Sequence, residues 1–388
     1  MDETIYLDYH ATTPCDPRVV EAMLPYFTAT FANPASSLHV PGRRAARAVE
    51  SAREHVAEMI GASTNEIIFT SGATESNNLA IFGVAHGHSN TRRRIVTTPI
   101  EHKAVLEPLR ILERQGFELV YLPIDPTGQV ILEAAEEIIN DQTLLVSVQV
   151  ASNEIGTIQP IAEIAAIAGR HGALFHCDAA QAVGKISIDV AQWGVDLLSI
   201  SAHKLYGPKG VGALYIAGGT RAQPLAPLVY GGGQEWGVRP GTSNVPGIVG
   251  LGQACLLCQS EMHEESQRTS GLRDTLEAQL KTRIPGLRIN GKRGQRLPGN
   301  SSLSFPDVEA DALILNLPML ALSMGSACNT GAIEPSYVLT AIGLSREMAS
   351  STVRVGLGRF STSAEIEEAA GLITEAYFSL TKRIVPAS

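Results

Sequence analysis

Two short runs carry the chemistry that can be read first. Phe175-His176-Cys177-Asp178-Ala179-Ala180-Gln181 ends an apolar stretch on an acid, and Ser199-Ile200-Ser201-Ala202-His203-Lys204 ends the next one on a lysine. A lysine amine can form a Schiff base with an aldehyde. A carboxylate one run away can pair with a pyridine nitrogen and keep it protonated. Together they suit pyridoxal 5'-phosphate (PLP), whose protonated ring accepts electrons. Ser201 and His203 flank the lysine, and hydroxyl and imidazole can both reach a phosphate. Lys209, in Tyr206-Gly207-Pro208-Lys209-Gly210, is the competing amine, but its Gly/Pro neighbours read as a turn.

Four other places could serve the same ligand. Ser71-Gly72-Ala73-Thr74-Glu75-Ser76-Asn77 follows an apolar run and opens a helical pattern. Backbone N–H groups of Gly72 and Ala73 at such a turn favour an anion, and Thr74 adds a hydroxyl. The nucleotide pattern G-x-x-x-x-G-K-[ST] is absent. His102, in Pro99-Ile100-Glu101-His102-Lys103, puts an imidazole after a strand, where it can stack on a planar cofactor or move protons. Asn153, in Asn153-Glu154-Ile155-Gly156, can orient a carboxylate or a phenolic oxygen. Arg354, in Thr352-Val353-Arg354-Val355-Gly356, can clamp a carboxylate with two hydrogen bonds. Cys328 lies in Ser323-Met324-Gly325-Ser326-Ala327-Cys328-Asn329-Thr330-Gly331, a small and polar run unlike the apolar walls around a structural thiol, and reads as a reactive cysteine.

The elements that must position these groups alternate. Glu66 to Thr70, Ile95 to Thr97, Glu118 to Leu122, Leu144 to Val150, Ala173 to His176, Asp196 to Ile200 and Gly212 to Ile216 read as strands. Helical patterns lie between them, at Gly42 to Ile60, Lys103 to Arg114 and Ile161 to Gly172. That order predicts an α/β fold with a mostly parallel sheet between helices, and ligands at the carboxyl ends of its strands. From about Leu251 a long helix to about Thr282 precedes shorter strands, Asn300 to Phe305 and Ser351 to Gly356, as expected of a smaller α+β domain. The expected division is 14–255 for the large domain, with 1–13 and 256–388 in the small one.

Composition is that of a soluble globular enzyme, 44% hydrophobic and 18% charged, with a net charge of −9 that argues against broad nucleic-acid binding. Met1-Asp2-Glu3 is no secretory leader, and no apolar stretch is long enough to span a bilayer, so the cytoplasm is the expected location. The five cysteines are scattered. Cys255 and Cys258 lack a second pair and read as packed thiols, with no metal expected.

With these residues in place, the chain resembles the cysteine desulfurases, PLP enzymes of the aminotransferase class V family and of fold type I. The resemblance runs nearly full length. It includes Leu7-Asp8 with Ala11-Thr12-Thr13-Pro14, Thr70 to Asn78, Glu101-His102-Lys103, Asn153 to Gly156 and His176 to Gln181. It continues through Ser201 to Gly210, Gly231-Gly232-Gly233-Gln234-Glu235, Gly241-Thr242, Gly325-Ser326-Ala327-Cys328, Glu334 to Leu339 and Gly358-Arg359-Phe360. Two departures stand out. Tyr9 and His10 stand where Asn-Ala is commoner before Ala11-Thr12-Thr13, and Trp236 stands where an arginine is usual.

The resemblance implies that Lys204 holds PLP and Cys328 is the nucleophile. Asp178 would meet the pyridine nitrogen, Gln181 the phenolic oxygen and His102 the ring face. Thr74, Ser201 and His203 would hold the phosphate, joined by Thr242 from the neighbouring subunit of a homodimer. Asn153 and Arg354 would hold the carboxylate of L-cysteine. Cysteine becomes alanine, and its sulfur passes to Cys328 as a persulfide for an acceptor protein or complex. The chain has the long cysteine loop but ends at Thr381 to Ser388, short of the tail by which housekeeping relatives dock an iron–sulfur scaffold. Iron–sulfur assembly, tRNA thiolation and DNA phosphorothioation all stay open as destinations. The competing readings are a selenocysteine lyase, another PLP β-lyase or aminotransferase, and a non-catalytic sulfur-relay or interaction protein.

Overall fold

The structure is a computed structural model and describes residues 4–87, 92–324 and 335–384. β1 (Ile5–Tyr6) opens it, and seven strands then form the central sheet. They are β2 (Ile67–Thr70), β3 (Arg94–Thr97), β4 (Glu118–Tyr121), β5 (Thr143–Ser147), β6 (Leu174–Asp178), β7 (Leu197–Ser201) and β8 (Gly212–Ile216). Their order is β2-β8-β7-β6-β5-β3-β4. Only β8 runs against its neighbours, pairing antiparallel with β2 and β7, while β7, β6, β5, β3 and β4 are mutually parallel. This is the expected α/β architecture. Arg94 opens β3 and pairs with Glu118.

Both faces of the sheet are covered, so the apolar residues of its inner strands are not confined to alternate positions. Successive side chains still part to opposite sides. Ile67 and Phe69 join Val146, Leu198 and Ile200 in one core under the helices Val40–Ile60 and Ile161–Arg170. Ile68 joins Leu145, Leu197 and Leu214 in another, under the helices Ala73–Gly87 and Lys103–Arg114.

The remaining strands are β9 (Arg288–Asn290), β10 (Asn300–Ser304), β11 (Leu320–Ala321) and β12 (Thr352–Gly356). β12, β10 and β9 form an antiparallel sheet, and β11 pairs in parallel with β1. Asp8 bridges to Gly356, so the chain's start is sewn to this second layer. A third core, of Leu7, Leu276, Leu303, Phe305, Val355 and Ile373, lies beneath it. The helix Val245–Arg283 serves both regions. Leu251, Ala254 and Cys255 pack in the large core, and Leu272, Leu276 and Leu280 pack in the third. Cys255 and Cys258 are both buried, and burial pushes the Cys258 thiol up to about 12, so these are inert packed thiols. Among the described residues no helix is long and apolar enough to cross a membrane.

Arg359 pins these parts together. Its guanidinium lies 2.8 Å from Asp16, 2.9 Å from Glu265 on the long helix, and over the Tyr206 ring at 4.2 Å. The Arg359 N–H bonds to the Tyr206 hydroxyl at 2.5 Å, and that hydroxyl donates to Glu265. Asp16 is 2% and Arg359 8% exposed, so removing the cation would leave the poorly solvated Glu265 without an ion-pair partner among the described residues and Asp16 with Arg18 alone. Arg359→Ala is therefore expected to lower stability by about 3 kcal/mol, read as a shift in the urea midpoint; a change inside experimental error would show that the cluster is not a structural pin.

Candidate active site

The carboxyl ends of β2, β5, β6 and β7 open onto one cleft of about 770 Å³. Lys204 follows β7 on a single 3-10 turn, Ala202–Lys204. Its amine donates to the carbonyls of His10 (2.5 Å) and Ala11 (2.8 Å) and forms no ion pair among the described residues. Burial and the Arg354 charge push its pKa down to about 8, against the weaker opposing pull of Asp178 and Asp8.

Asp178 ends β6 and is 7% exposed. It accepts from Asn77 Nδ2 at 2.7 Å and from the Ala180 N–H at 2.9 Å, and forms no ion pair among the described residues. His176, two residues earlier on the same strand, is wholly buried between the Ser147 and Ser199 hydroxyls at 2.8 and 3.1 Å. Burial pushes it down to about 4, so it packs as a neutral ring behind the site.

His102 caps the helix Lys103–Arg114, its Nδ1 accepting the Ala104 N–H at 3.1 Å. The neutral ring therefore carries its proton on Nε2. The imidazole is exposed, yet desolvation by the surrounding protein still lowers its pKa. At the other end, β2 turns through Ser71-Gly72 into the helix Ala73–Gly87. Gly72 has φ +144°, and a Cβ there would point at the Ser201 hydroxyl 3.7 Å away. Thr74, Ser201 and His203 share this end of the cleft. His203 Nδ1 bonds the Thr12 hydroxyl at 3.1 Å, and burial pushes the ring down to about 4.

Arg354 enters from β12. Its Nη2 donates to Asp8 at 2.8 Å and its Nη1 to the Asn153 carbonyl at 3.2 Å, while Nε is buried with no partner among the described residues. Asn153 lies beside it in the cleft. Lys209 also reaches the cleft but is exposed. Thr242 is exposed and lies outside the cleft of its own chain. Cys328 lies outside the described residues.

The family model for aminotransferase class-V matches residues 5–368. The chain belongs to the aminotransferase class-V family. It is 51% identical over 369 residues to "Cysteine desulfurase IscS" of Rickettsia rickettsii (strain Iowa), covering 95% of this chain and 90% of that protein. Among solved structures it is similar to a "NIFS-LIKE PROTEIN" at a TM-score of 0.89 and 38% identity, covering 97% of this chain and 99% of the other. A structure described as "SspA in complex with cysteine" matches at a TM-score of 0.82 and 39% identity, covering 92% of this chain and all (100%) of the other.

The cofactor of this aminotransferase class-V chain is PLP, and the donor set suits it. Asp178 is a buried carboxylate without a cation, as a protonated pyridine nitrogen requires. Lys204 is an amine without a carboxylate, which keeps it able to lose its proton near neutral pH. The side-chain-free space at Gly72 leaves room for an anion facing the Ser201 hydroxyl.

Three groups that line the cleft or contact its lining were not among the expected site residues. His10 lines it, bonded to Gln181 and, through its carbonyl, to Lys204. The only signal was its departure from the family's common residue. Lys185 donates to Gln181 at 3.1 Å, and burial followed by the Lys204 charge pushes it down to about 7. Glu101, beside His102, is wholly buried and is pushed up to about 8 by desolvation. Its Oε1 accepts from Thr98 and the Gln149 N–H, and its Oε2 has no partner among the described residues.

Glu101 thus keeps its proton in the folded chain to a higher pH than in the unfolded one. Between about pH 4.5 and pH 8 the folded state holds more protons, so this group makes stability fall as pH rises. Glu101→Gln is expected to flatten that fall, seen as a smaller drop in urea midpoint from pH 5 to pH 8 than in the parent; an equal or steeper drop would mean that the carboxyl ionises freely.

Proposed function

We propose that this protein is a PLP-dependent cysteine desulfurase, converting L-cysteine to L-alanine and passing the sulfur to Cys328. The observation that carries the reading is one cleft joining an unpaired lysine, an unpaired buried carboxylate and a buried guanidinium with a free N–H. β12 carries that guanidinium and pairs at Arg354 with Ser323, five positions before Cys328. The desulfurase relatives and the cysteine-bound neighbour support the substrate.

Bound here, PLP supplies an aldehyde for amines and a sink for the charge left when an α-proton departs. Lys204 is the amine that would hold the aldehyde carbon. With cysteine bound, the free Lys204 amine would be the general base that takes the α-proton, since burial disfavours its charged form. Asp178 keeps a proton at the pyridine nitrogen, and Gln181 orients the phenolic oxygen. His102 covers the ring face with its Nε2–H edge available to move a proton. Gly72, Ala73, Thr74, Ser201 and His203 hold the phosphate, with Thr242 of a second copy. Arg354 and Asn153 hold the carboxylate and fix which way the thiol points. The Cys328 thiolate then attacks the substrate sulfur. An S–S bond forms, the C–S bond breaks with its electrons left on the three-carbon skeleton, and protonation there gives alanine.

A homodimer completes this site. Phe31, Leu38, Tyr230 and Trp236 are 75%, 96%, 84% and 51% exposed, an apolar surface that a second copy would cover. Two separate cores support a PLP-binding domain over 14–255 and a domain of 1–13 and 256–388 that carries Cys328. Four unpaired described thiols suit a reducing compartment, the cytoplasm. The acceptor is a protein or complex serving iron–sulfur assembly, tRNA thiolation or DNA phosphorothioation.

Incubation with cysteine should release alanine and leave a persulfide on Cys328. Cys328→Ala should keep the visible absorbance of the bound cofactor, form no persulfide, and make alanine at least about 100-fold more slowly. Full turnover to alanine and sulfide in that variant would instead show a β-lyase or aminotransferase. Lys204→Ala should lose the Schiff-base absorbance, which a non-catalytic relay protein would lack from the outset. Arg354→Lys should raise KM for cysteine about tenfold, because a point charge cannot replace the planar fork; an unchanged KM would take Arg354 out of the carboxylate site.

A further inference from the structure

His10 meets the site through two groups at once. Its carbonyl accepts from Lys204 Nζ at 2.5 Å and from Gln181 Nε2 at 2.9 Å. Its ring Nδ1 lies 3.0 Å from Gln181 Oε1, and that oxygen also accepts from Lys185 Nζ at 3.1 Å. A carbonyl only accepts, so the group that faces the His10 carbonyl must be the Gln181 NH2. The Gln181 amide can therefore face only one way, with its oxygen toward Lys185 and the ring. The ring must then donate from Nδ1. This leaves Nε2 bare, and it is buried with no partner among the described residues.

The imidazole has a slot of its own. A Cβ at Gly356 would stand 2.9 Å from His10 Cδ2, so the strand that carries Arg354 is shaped to admit the ring edge. His10 is 1% exposed. A ring chosen for packing alone would not leave a buried nitrogen unpaired, since an unmade hydrogen bond there is unfavourable. Its one polar bond points at Gln181, and its backbone holds Lys204.

We propose that His10 is a positioning residue: its Nδ1–H locks the Gln181 amide, and the lock fixes the 10–11 carbonyls that hold the Lys204 amine. This rests on the desulfurase reading of the same cleft. The ring acts as a neutral donor. Burial lowers its affinity for a second proton, and the charges of Lys185, Arg354 and Lys204 lower it further. The groups coupled electrostatically to Lys204 are Asp8, His10, His102, Asp178, Lys185, His203 and Arg354, and a substitution at residue 10 removes one of these, the neutral His10 ring.

The test compares His10→Ala, His10→Phe and His10→Asn. Phenylalanine keeps a ring without the donor. Asparagine places an amide N–H the same number of bonds from its Cα as Nδ1–H is. The first readout needs no turnover: the pH dependence of the rate at which the apoprotein captures PLP, followed by visible absorbance. Only the unprotonated Lys204 amine attacks, so the midpoint reports its pKa. Two carbonyls favour the charged amine, and loosening them should lower that midpoint by about half a unit or more in the Ala and Phe variants, the size of one hydrogen bond. The Asn variant should keep the parental midpoint. The second readout is kcat/KM for cysteine, expected to fall about tenfold in Ala and Phe and to return to within about twofold in Asn. All proteins are compared below their measured melting temperatures, and if Ala does not fold, the Phe and Asn pair decides. Parental midpoints in both Ala and Phe, or an Asn variant that behaves like Phe, overturn the proposal. A parent protein that makes no alanine from cysteine overturns the desulfurase reading instead, while the midpoint comparison still judges the lock.

Discussion

Everything at this site depends on a lysine amine held by carbonyls rather than by a carboxylate. Lys204 donates to His10 and Ala11, and the nearest acids, Asp8 and Asp178, are engaged elsewhere. An ion pair would fix the proton on nitrogen. Two neutral acceptors hold the amine in place while burial and the Arg354 charge bring its pKa to about 8. The arrangement works only if the segment from Asp8 to Thr13 is itself rigid. Asp8 is bound to Arg354, Thr12 to His203, and Thr13 to the backbone of His203 and Tyr206. That segment is therefore the floor of the cleft as well as a bridge between the two sheets.

Burial tunes the other titratable groups in a consistent direction. His176, His203 and His10 are all driven toward the neutral ring, and Glu101 toward the neutral acid. Neutral neighbours leave Asp178, Lys204 and Arg354 as charges of the less exposed lining, while Lys103 and Lys209 are exposed and Glu75 is paired with Arg239. Under the proposed function, Arg354 would meet the carboxylate of a zwitterionic amino acid, and Asp178 would meet the cofactor's ring nitrogen. Fewer competing charges mean that each of these interactions is stronger in the low-dielectric interior.

Much of this was legible in the sequence, because parallel strands buried on both faces announce themselves as short apolar runs. Gly212–Ile216 and Lys103–Arg114 fall where the pattern puts them, and Asp178, Lys204 and His102 sit at strand ends as the βα order requires. Other features depend on contacts that a local pattern does not carry. The long helix begins at Val245, six positions before the periodicity suggests, through a stretch rich in glycine. Those glycines are unfavourable in an isolated helix, but Gly252 lets the helix Val40–Ile60 come so close that a Cβ would stand 2.6 Å from the Ala52 Cα. The two-residue strands β1 and β11 are too short to show a period at all. His10 and Lys185 look like ordinary core and surface residues until Gln181, more than a hundred positions from His10, brings them together.

The same non-local logic explains why Arg354 is better placed on a strand than on a loop. At Arg354 the backbone is paired on both sides, with Ser302 of β10 and with Ser323. The Arg354 N–H donates to the Ser323 carbonyl at 2.7 Å, and Ser323 lies two residues from Gly325, where the run bearing Cys328 begins. Under the proposed function, the guanidinium that would hold the substrate carboxylate and the last described residues before the Cys328 run thus belong to one ladder, and one hydrogen-bonded pair sets the starting point of both.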